Sequence, residues 1–347
     1  MVVKVLHFVH SIDPKNGGVA EAVVRLNEEF NHLGVSSEIT ENPSLFNNQN
    51  LCIIAHGLWQ WPSHQAYINY RKKNIPYLVF PHGMLDPWFK KTYKLKHIKK
   101  QIYWWLRENK SLSNSQAVCF TTEEECILAR KTFLPYRCNE KVTGLGVKSP
   151  PDNLKKCHET FISQYSILKD KKCLLYMGRF HSKKGVDLLI DAFLKNKKQD
   201  EILVLAGPID NPNSYLTYLT KLSEKNSNSI IWTGMLKDEF KWGALVHADA
   251  LILPSHQENF GMVVAESLSV GTPVYLTNKV NLWNEVISAG AGFVANDDPR
   301  GINNLLKKWV AGEHNQMKEK AIRCFKEKLH IRKTVENICK ILKIRIS

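Results

Sequence analysis

Short apolar runs with the character of β-strands alternate with amphipathic, helix-like stretches along almost the whole chain. This alternation is typical of α/β proteins built on parallel sheets. Each run ends in a loop of Gly, Pro, Ser or His, and parallel sheets of this class bind ligands at the carboxyl ends of their strands. The predicted strands are Val2–Val9, Leu51–Ala55, Tyr77–Phe80, Ala117–Phe120, Lys141–Thr143, Cys173–Met177, Ile202–Ala206, Ile230–Trp232, Ala250–Leu253, Pro273–Leu276 and Gly292–Val294.

The strand series breaks once, between Gly144 and Lys172, where Pro150 and Pro151 are adjacent. A chain of 347 residues is long enough for two cores, and 44% of its residues are apolar. We therefore predict a doubly wound domain over residues 1–148, a linker over 149–172, a second such domain over 173–330 and a terminal helix in 331–347. The active site is expected in the cleft beside the linker.

Targeting and redox signals are few. Every apolar run is shorter than the roughly 18 residues that a membrane span needs. The opening Met1–His10 is predicted as a strand and not as a signal peptide. The eight cysteines are scattered, without a C-x-x-C pair. Reduced structural thiols and a cytoplasmic location are expected.

The strongest candidate site follows the predicted strand Ala250–Leu253. Gly261 precedes several apolar residues, so a helix should begin near residue 260 and offer its free amides to phosphate or sugar oxygens. Glu258 lies just before this helix and Glu266 just over two turns along it. The two carboxylates could therefore contact different parts of one elongated ligand. The alternative is a helix cap followed by a solvent-facing glutamate.

A second candidate loop, Gly178–Gly185, follows the strand Cys173–Met177. Arg179 and Lys184 could clamp a diphosphate, the arginine by bidentate hydrogen bonds and the lysine as a point charge. Basic surface loops are common, so this interpretation depends on the anion-binding helix end predicted in the same domain.

Two further loops are weaker candidates. The glycines of Asn16–Val19, Gly17 and Gly18, would let backbone amides approach a phosphate, although a tight structural turn would have the same residues. His82 follows the strand Tyr77–Phe80 and could hydrogen-bond a sugar hydroxyl or stabilise charge at the reacting carbon. It could equally be satisfied within its own loop. His56 repeats the pattern more weakly.

Carboxylate pairs for a metal–diphosphate site are missing, since no two aspartates are spaced D-x-D. We expect neither a metal nor a resident cofactor. The charge of a bound diphosphate would then be neutralised by Arg179, Lys184 and helix dipoles.

Together, Glu-x7-Glu with Asn-Phe-Gly inside it, Gly-Arg-Phe-x3-Lys-Gly and the early Gly-Gly loop resemble glycosyltransferase family four, the glycosyl transferases group 1. Pro81–Trp88 and Thr121–Glu125 also resemble its polysaccharide-building members. The resemblance runs from Val5 to about Val294. It implies a GT-B fold, in which two Rossmann-like domains face a cleft, the first on the acceptor side and the second binding the donor, and the C-terminal helix packs back toward the first.

The resemblance also implies a retaining, metal-independent transfer of a hexosyl group from a GDP-mannose-type or UDP-sugar donor to a glycan or lipid-linked oligosaccharide, in surface polysaccharide or lipopolysaccharide synthesis. A donor phosphate oxygen is thought to accept the proton. By position, Arg179 and Lys184 would bind the donor diphosphate, Gly17 and Gly18 the distal phosphate, Glu266 the ribose, and Glu258, Asn259, Phe260, Gly261 and Met262 the sugar, with Glu258 and His82 as the catalytic residues. The family's linker usually has Pro-Asn-Gly-Val, whereas this chain has Gly144-Leu-Gly-Val147.

The net charge of +15 is concentrated in two segments. Residues 90–110 hold eight cations and one anion, and residues 307–347 are also strongly basic. In the first segment Leu95, Ile98, Ile102 and Trp105 fall at helical spacing. Such a helix would suit an anionic membrane surface or a phosphate-bearing lipid acceptor, contacted by Lys90, Lys91, Lys94 and Trp104.

Three alternatives remain open at this point. The basic helix could simply pack on its own sheet. The chain could be a non-catalytic sugar-nucleotide binding protein, or a nucleotide-sugar epimerase on the same architecture. A nucleic-acid partner is not expected, because no nucleic-acid module is recognisable and the charge avoids the strand-end loops.

Overall fold

The computed structural model describes residues 4–13, 18–47, 50–210, 213–224 and 228–346. The strands are β1 (Lys4–Phe8), β2 (Ser37–Thr40), β3 (Leu51–His56), β4 (Tyr77–Phe80), β5 (Ala117–Phe120), β6 (Glu140–Val142), β7 (Lys172–Met177), β8 (Glu201–Ala206), β9 (Ile230–Gly234), β10 (Ala250–Leu253), β11 (Val274–Thr277) and β12 (Gly292–Ala295). The α-helices are α1 (Gly18–His32), α2 (Trp61–Lys73), α3 (Pro87–Thr92), α4 (Lys94–Tyr103), α5 (Asn109–Ser113), α6 (Glu123–Ala129), α7 (Leu154–Gln164), α8 (Val186–Asn196), α9 (Ser214–Ser223), α10 (Asp238–His247), α11 (Met262–Ser269), α12 (Trp283–Ala289), α13 (Pro299–Val310), α14 (Lys318–Cys324) and α15 (Ile331–Leu342).

The chain forms two compact units. One comprises Met1–Lys148 and Leu329–Ser347, and the other Ser149–Lys328. The first unit holds a six-stranded sheet in the order β2-β1-β3-β4-β5-β6, and the second a six-stranded sheet in the order β12-β11-β10-β7-β8-β9. All described pairings within the two sheets are parallel. The predicted α/β class with two doubly wound parallel sheets is confirmed.

Most of the inner strands are buried along their whole length. Every residue of β3, β4, β5 and β8 is buried, as expected for parallel strands covered by helices on both faces. This is why the strands appear in the sequence as continuous apolar runs. All eleven predicted strands are present, with ends shifted by a few residues. β2 is an additional strand that was not predicted.

The strand orders define one special position in each sheet. The chain direction across the sheet reverses between β1 and β3 in the first unit and between β7 and β10 in the second. Open α/β sheets bind their ligands at such a point, outside the carboxyl ends of the strands. The candidate site residues of the second unit lie in the loops after β7 and β10 and on helix α11.

Residues 149–172, predicted as a linker, differ in the structure. Helix α7 and a short 3₁₀ turn at Ser166–Leu168 fold as part of the second unit. Cys157 and Phe161 are spaced by one helical turn and are buried against α10, where Gly243 lets the two backbones approach closely. The segment therefore belongs to the core of its unit.

The tail of the chain belongs to the first unit. Helix α15 is held where its first turn meets Gly146, whose amide donates to Thr334 Oγ1 at 3.0 Å. A Cβ atom at Gly146 would lie 2.3 Å from the Ile331 nitrogen. The Gly144–Val147 segment, which departs from the family pattern, is thus the docking point of this helix.

Candidate active site

The loops after β7 and β10 touch each other. The amide of His256 donates to the Lys183 carbonyl at 2.8 Å. Gly185 has a left-handed φ of 62°, and a Cβ atom there would lie 2.3 Å from the Pro254 carbonyl oxygen. Only glycine permits this approach, which fixes the end of the loop and starts helix α8.

The contact between these loops brings a predicted cation and a predicted carboxylate together. The Lys184 ammonium forms an ion pair with the Glu258 carboxylate. Both side chains are largely buried, with exposed fractions of 11% and 22%. A charged pair with little solvent access presents a donor and an acceptor to any ligand entering at the ends of β7 and β10.

The segment after Glu258 is anchored by the loop that follows β11. The Glu258 amide donates to the Lys279 carbonyl at 2.9 Å, and the Asn281 amide donates to the Glu258 carbonyl at 3.1 Å. The Asn281 side chain also donates to Asn259 Oδ1 at 3.3 Å. Lys279 and Asn281 were not predicted. The available signal was the polar Asn278–Asn281 stretch directly after a strand.

Gly261 sets the start of helix α11. It caps the helix in the left-handed region at φ 70°, and α11 begins at Met262, close to the predicted position. Phe260 is buried beneath the turn. The first amides of any α-helix have no acceptor inside the helix, so this end can receive oxygens of an anionic ligand.

Glu266 lies on α11 and is buried. Its carboxylate accepts a charged hydrogen bond from Lys241 of α10, at 3.1 Å from Nζ to Oε1. The Lys241 ammonium also lies 4.8 Å from the Trp242 ring centroid. A carboxylate accepts hydrogen bonds at about four positions, which is the chemistry that ligand hydroxyls need.

Arg179 lies in the same loop as Lys184. Its carbonyl accepts a hydrogen bond from the buried Tyr176 hydroxyl at 2.9 Å. Burial raises the pKa of this phenol well above its usual range, so it stays a donor. The Arg179 side chain is exposed and forms no ion pair with the described residues. The backbone is thus anchored, and the guanidinium is accessible to an anionic ligand.

The predicted glycine loop is only partly described. Gly17 lies outside the described residues, and Gly18 is the first residue of α1. A phosphate site at these glycines stays a prediction.

His82, in the first unit, lies in a strained loop after β4. Its φ is 50°, a left-handed value that is uncommon for any residue but glycine. The next amide, of Gly83, donates to the buried Glu125 carboxylate at 2.6 Å. Glu125 also accepts hydrogen bonds from Thr121, at 2.8 Å from the amide and 2.6 Å from the hydroxyl. Glu125 therefore ties the His82 loop to the loop after β5.

His82 is the partly exposed end of a row of three histidines. His82 Nε2 lies 2.9 Å from His56 Nδ1, and His56 Nε2 lies 2.8 Å from His7 Nδ1. His7 and His56 are buried, and neighbouring rings stack with centroids 5.1 and 5.2 Å apart. His7 was not predicted, because a histidine inside a buried strand gives no sequence signal of its partners.

The basic segment forms helices α3 and α4 and a π-helical turn at Trp104–Glu108. Lys90, Lys91 and Lys94 are exposed, as predicted. Trp104 is not: it is fully buried, and its indole nitrogen donates to the Pro135 carbonyl at 2.8 Å. The prediction that Trp104 contacts a membrane is therefore wrong, because its ring packs in the core.

Helix α4 has no buried residue. Leu95, Ile98 and Ile102 are 79%, 57% and 49% exposed. Trp105 and Leu106 of the following turn are also exposed. The alternative that this helix simply packs on its own sheet does not hold for these side chains. No helix among the described residues is both long enough and apolar enough to span a bilayer.

Over the described ranges, no group of three or more His, Cys, Asp or Glu side chains could hold a metal ion. The eight cysteines are free thiols.

Part of the chain matches a known protein family. Residues 158–324 match the family model described as glycosyl transferases group 1. A putative glycosyltransferase of Bacillus subtilis, YtcC, is 32% identical over 128 residues, covering 35% of this chain and 31% of that protein. A GDP-mannose-dependent α-(1-6)-phosphatidylinositol dimannoside mannosyltransferase of Mycobacterium tuberculosis is 30% identical over 142 residues, covering 40% of this chain and 35% of the relative. The chain thus spans only about a third of the length of these two relatives.

Solved structures match over the full length. Sucrose-phosphate synthase from Thermosynechococcus elongatus superposes with a TM-score of 0.76 at 15% identity, covering 98% of both chains. Anabaena Alr3699/HepE, solved with UDP and glucose, superposes with a TM-score of 0.75 at 14% identity, covering 98% of this chain and 99% of that one. At these identities the likeness establishes the fold. The chain therefore has the GT-B fold, and its residues 158–324 match the model of the glycosyl transferases group 1 family.

Proposed function

We propose that the protein is a retaining glycosyltransferase that moves a hexosyl group from a nucleotide diphosphate sugar to a glycan or lipid-linked oligosaccharide in surface polysaccharide synthesis. The observation that carries the proposal is the Lys184–Glu258 ion pair at the ends of β7 and β10, next to the start of α11. A cation, a carboxylate and helix amides together suit a sugar attached to a phosphate.

Lys184 and Arg179 would bind the donor diphosphate. When the phosphate approaches, the Lys184 ammonium exchanges the Glu258 carboxylate for phosphate oxygens, and Glu258 becomes available to accept hydroxyl hydrogen bonds from the sugar. Glu266, already oriented by Lys241, would accept hydrogen bonds from the ribose hydroxyls.

The charge of the leaving diphosphate would be stabilised by Arg179, Lys184 and the amino end of α11, without a metal ion. A phosphate oxygen of the donor would take the proton from the acceptor hydroxyl as the new glycosidic bond forms on the same face of the sugar. His82 would donate a hydrogen bond to the transferred sugar.

The similar proteins suggest two candidate hexose donors. HepE binds UDP and glucose in its solved structure, and the mycobacterial relative is named as GDP-mannose-dependent. UDP-glucose and GDP-mannose are therefore the first donors to test.

A donor screen tests the proposal. Thermal unfolding is measured with UDP-glucose, GDP-mannose and free ATP, and hydrolysis or transfer of each stabilising donor is followed by release of the nucleotide diphosphate, with and without EDTA. We expect stabilisation by one sugar nucleotide, EDTA-resistant turnover and a product whose anomeric configuration, read by NMR, matches the donor. Interconversion of free sugar nucleotide without an acceptor would instead indicate an epimerase, and binding without any turnover a non-catalytic binding protein.

The exposed face of α4 supports a further partner, an anionic membrane surface. Leu95, Ile98 and Ile102 recur every three or four residues and so share one helix face, with exposed lysines around them. An apolar stripe flanked by lysines matches the boundary between acyl chains and anionic headgroups. We propose that α4 holds the enzyme at such a surface, where a lipid-linked acceptor is located.

A further inference from the structure

The row His7, His56 and His82 crosses three neighbouring strands of the first sheet. His7 lies in β1, His56 ends β3 and His82 follows β4. The two hydrogen bonds run in the same sense, from Nδ1 of one ring to Nε2 of the next. The row has a buried end at His7 and a partly exposed end at His82.

Each ring is neutral at pH 7. Burial lowers the pKa of His7 to about 3 and that of His82 to about 4. Burial, and the neighbouring His7 and His82, hold the pKa of His56 well below its usual range. A neutral imidazole has one N–H and one lone pair. The row therefore has only two proton arrangements, and each one sets all three tautomers together.

The buried end favours one arrangement. His7 Nε2 is buried and has no hydrogen-bond partner among the described residues. If Nε2 carried the proton, a buried N–H donor would be unsatisfied, which native proteins rarely allow; an unpaired acceptor is better tolerated. The proton of His7 therefore belongs on Nδ1, which donates to His56 Nε2. His56 Nδ1 in turn donates to His82 Nε2, and the His82 proton remains on Nδ1.

We propose that His7 and His56 are positioning residues that hold His82 in the Nδ1–H tautomer. His82 Nδ1, which takes no part in the row, then donates a hydrogen bond to a ligand oxygen. Two observations support a functional reason for this row. The left-handed φ of His82 is a strained conformation, and Glu125 and His56 both hold the loop in it. The assignment of His82 to the sugar rests on the proposed function, whereas the tautomer itself does not.

The test is long-range ¹⁵N–¹H NMR on ligand-free protein labelled at histidine ring nitrogens, with His82 signals identified by their loss in His82→Gln. We expect His82 in wild type to carry its proton on Nδ1. His7→Phe, which removes the first donor of the row, should produce a mixture of His82 tautomers, and His7→Gln, which keeps an N–H donor, should restore the wild-type state.

His158→Phe is the matched control, because it breaks a stacked histidine pair in the second unit, with His158 Nε2 3.2 Å from His247 Nδ1. It should leave the His82 signals unchanged. A wild-type His82 protonated on Nε2 would overturn the inference without any variant.

If the enzyme transfers sugar, His7→Phe should also lower kcat by roughly three- to tenfold, the loss expected for one neutral hydrogen bond, with little change in KM. If the tautomers are as expected but the protein transfers no sugar, the proposed function is refuted and the tautomer inference stands.

Discussion

The carboxyl group of Glu108 is buried at the end of the π-helical turn Trp104–Glu108 in the first unit. Its Oε1 accepts a hydrogen bond from the Ser63 hydroxyl at 2.5 Å, and its Oε2 one from the Trp59 amide at 3.3 Å. Burial raises its pKa from 4.5 to about 7, and the two hydrogen bonds together with Arg107 and Lys100 oppose the rise only in part. The folded protein therefore binds this proton more tightly than the unfolded chain does.

A pH dependence of stability follows. A pKa that is higher in the folded state contributes stability that is fully present below about pH 4.5 and is lost as the pH rises through about 7. The shift corresponds to about 3 kcal/mol. Glu108→Gln cannot ionise, so its free energy of unfolding relative to wild type should rise by roughly this amount between pH 5 and pH 8. Urea unfolding at both pH values measures it, with Glu123→Gln as an exposed control. A difference that stays the same at both pH values would contradict the prediction.

At the scale of single residues, the sequence shows which residue types belong to the site but not which partners hold them. Lys184 and Glu258 were predicted because each lies in a loop directly after a strand, and loops after neighbouring parallel strands meet at one edge. Asn281 follows β11, Glu125 lies on α6 and His7 lies in β1. Their contacts depend on the strand order, which one sequence does not reveal.

At the scale of elements, α4 is a helix whose apolar stripe faces solvent. The sequence pattern alone could not separate this state from a buried helix, because both have the same periodicity. The structure separates them through the exposed fractions of Leu95 and Ile98.

Membrane binding should therefore depend both on the apolar stripe of α4 and on the lysines of α3 and α4. Replacing Lys90, Lys91 and Lys94 by Gln should weaken binding to anionic vesicles by up to about 3 kcal/mol, at about 1 kcal/mol per lysine. Leu95→Ser with Ile98→Ser should also weaken it, while stability should change little because both side chains are exposed.

Sedimentation with phosphatidylglycerol and phosphatidylcholine vesicles at low salt measures this binding. The matched control replaces Lys195, Lys198 and Lys221 of the second unit by Gln and should bind as wild type does. Equal recovery of wild type with both vesicle types would reject the membrane proposal.

The predictions of secondary structure were wrong for elements that are not buried on both faces. β2, Ser37–Thr40, pairs only with β1 at the edge of the sheet, and its sequence, Ser-Glu-Ile-Thr, has a single apolar residue. The sequence predicts a linker where helix α7 lies, because only Cys157 and Phe161 are buried along this helix. Central strands were predicted correctly because a parallel strand covered on both faces must be apolar throughout.

At the scale of the whole molecule, both units follow one plan. Each is a six-stranded parallel sheet with a point where the strand order reverses, and each has its functional candidates at or beside that point. The division into two such sheets was predictable from the two strand series, since each series forms one sheet. The return of the tail, Leu329–Ser347, to the first unit was expected from the family resemblance and not from the strand series, because it depends on contacts distant in sequence.

The central claim is that Lys184 binds the diphosphate of a sugar nucleotide beside Glu258. Calorimetric titration of the donor found in the screen into Lys184→Ala tests it, with Lys221→Ala, which removes an exposed lysine of α9, as the control. We predict that Lys184→Ala weakens binding by about 1.5–3 kcal/mol, the loss of a charged hydrogen bond, and that Lys221→Ala binds as wild type does. A folded Lys184→Ala protein with wild-type donor affinity would contradict the account.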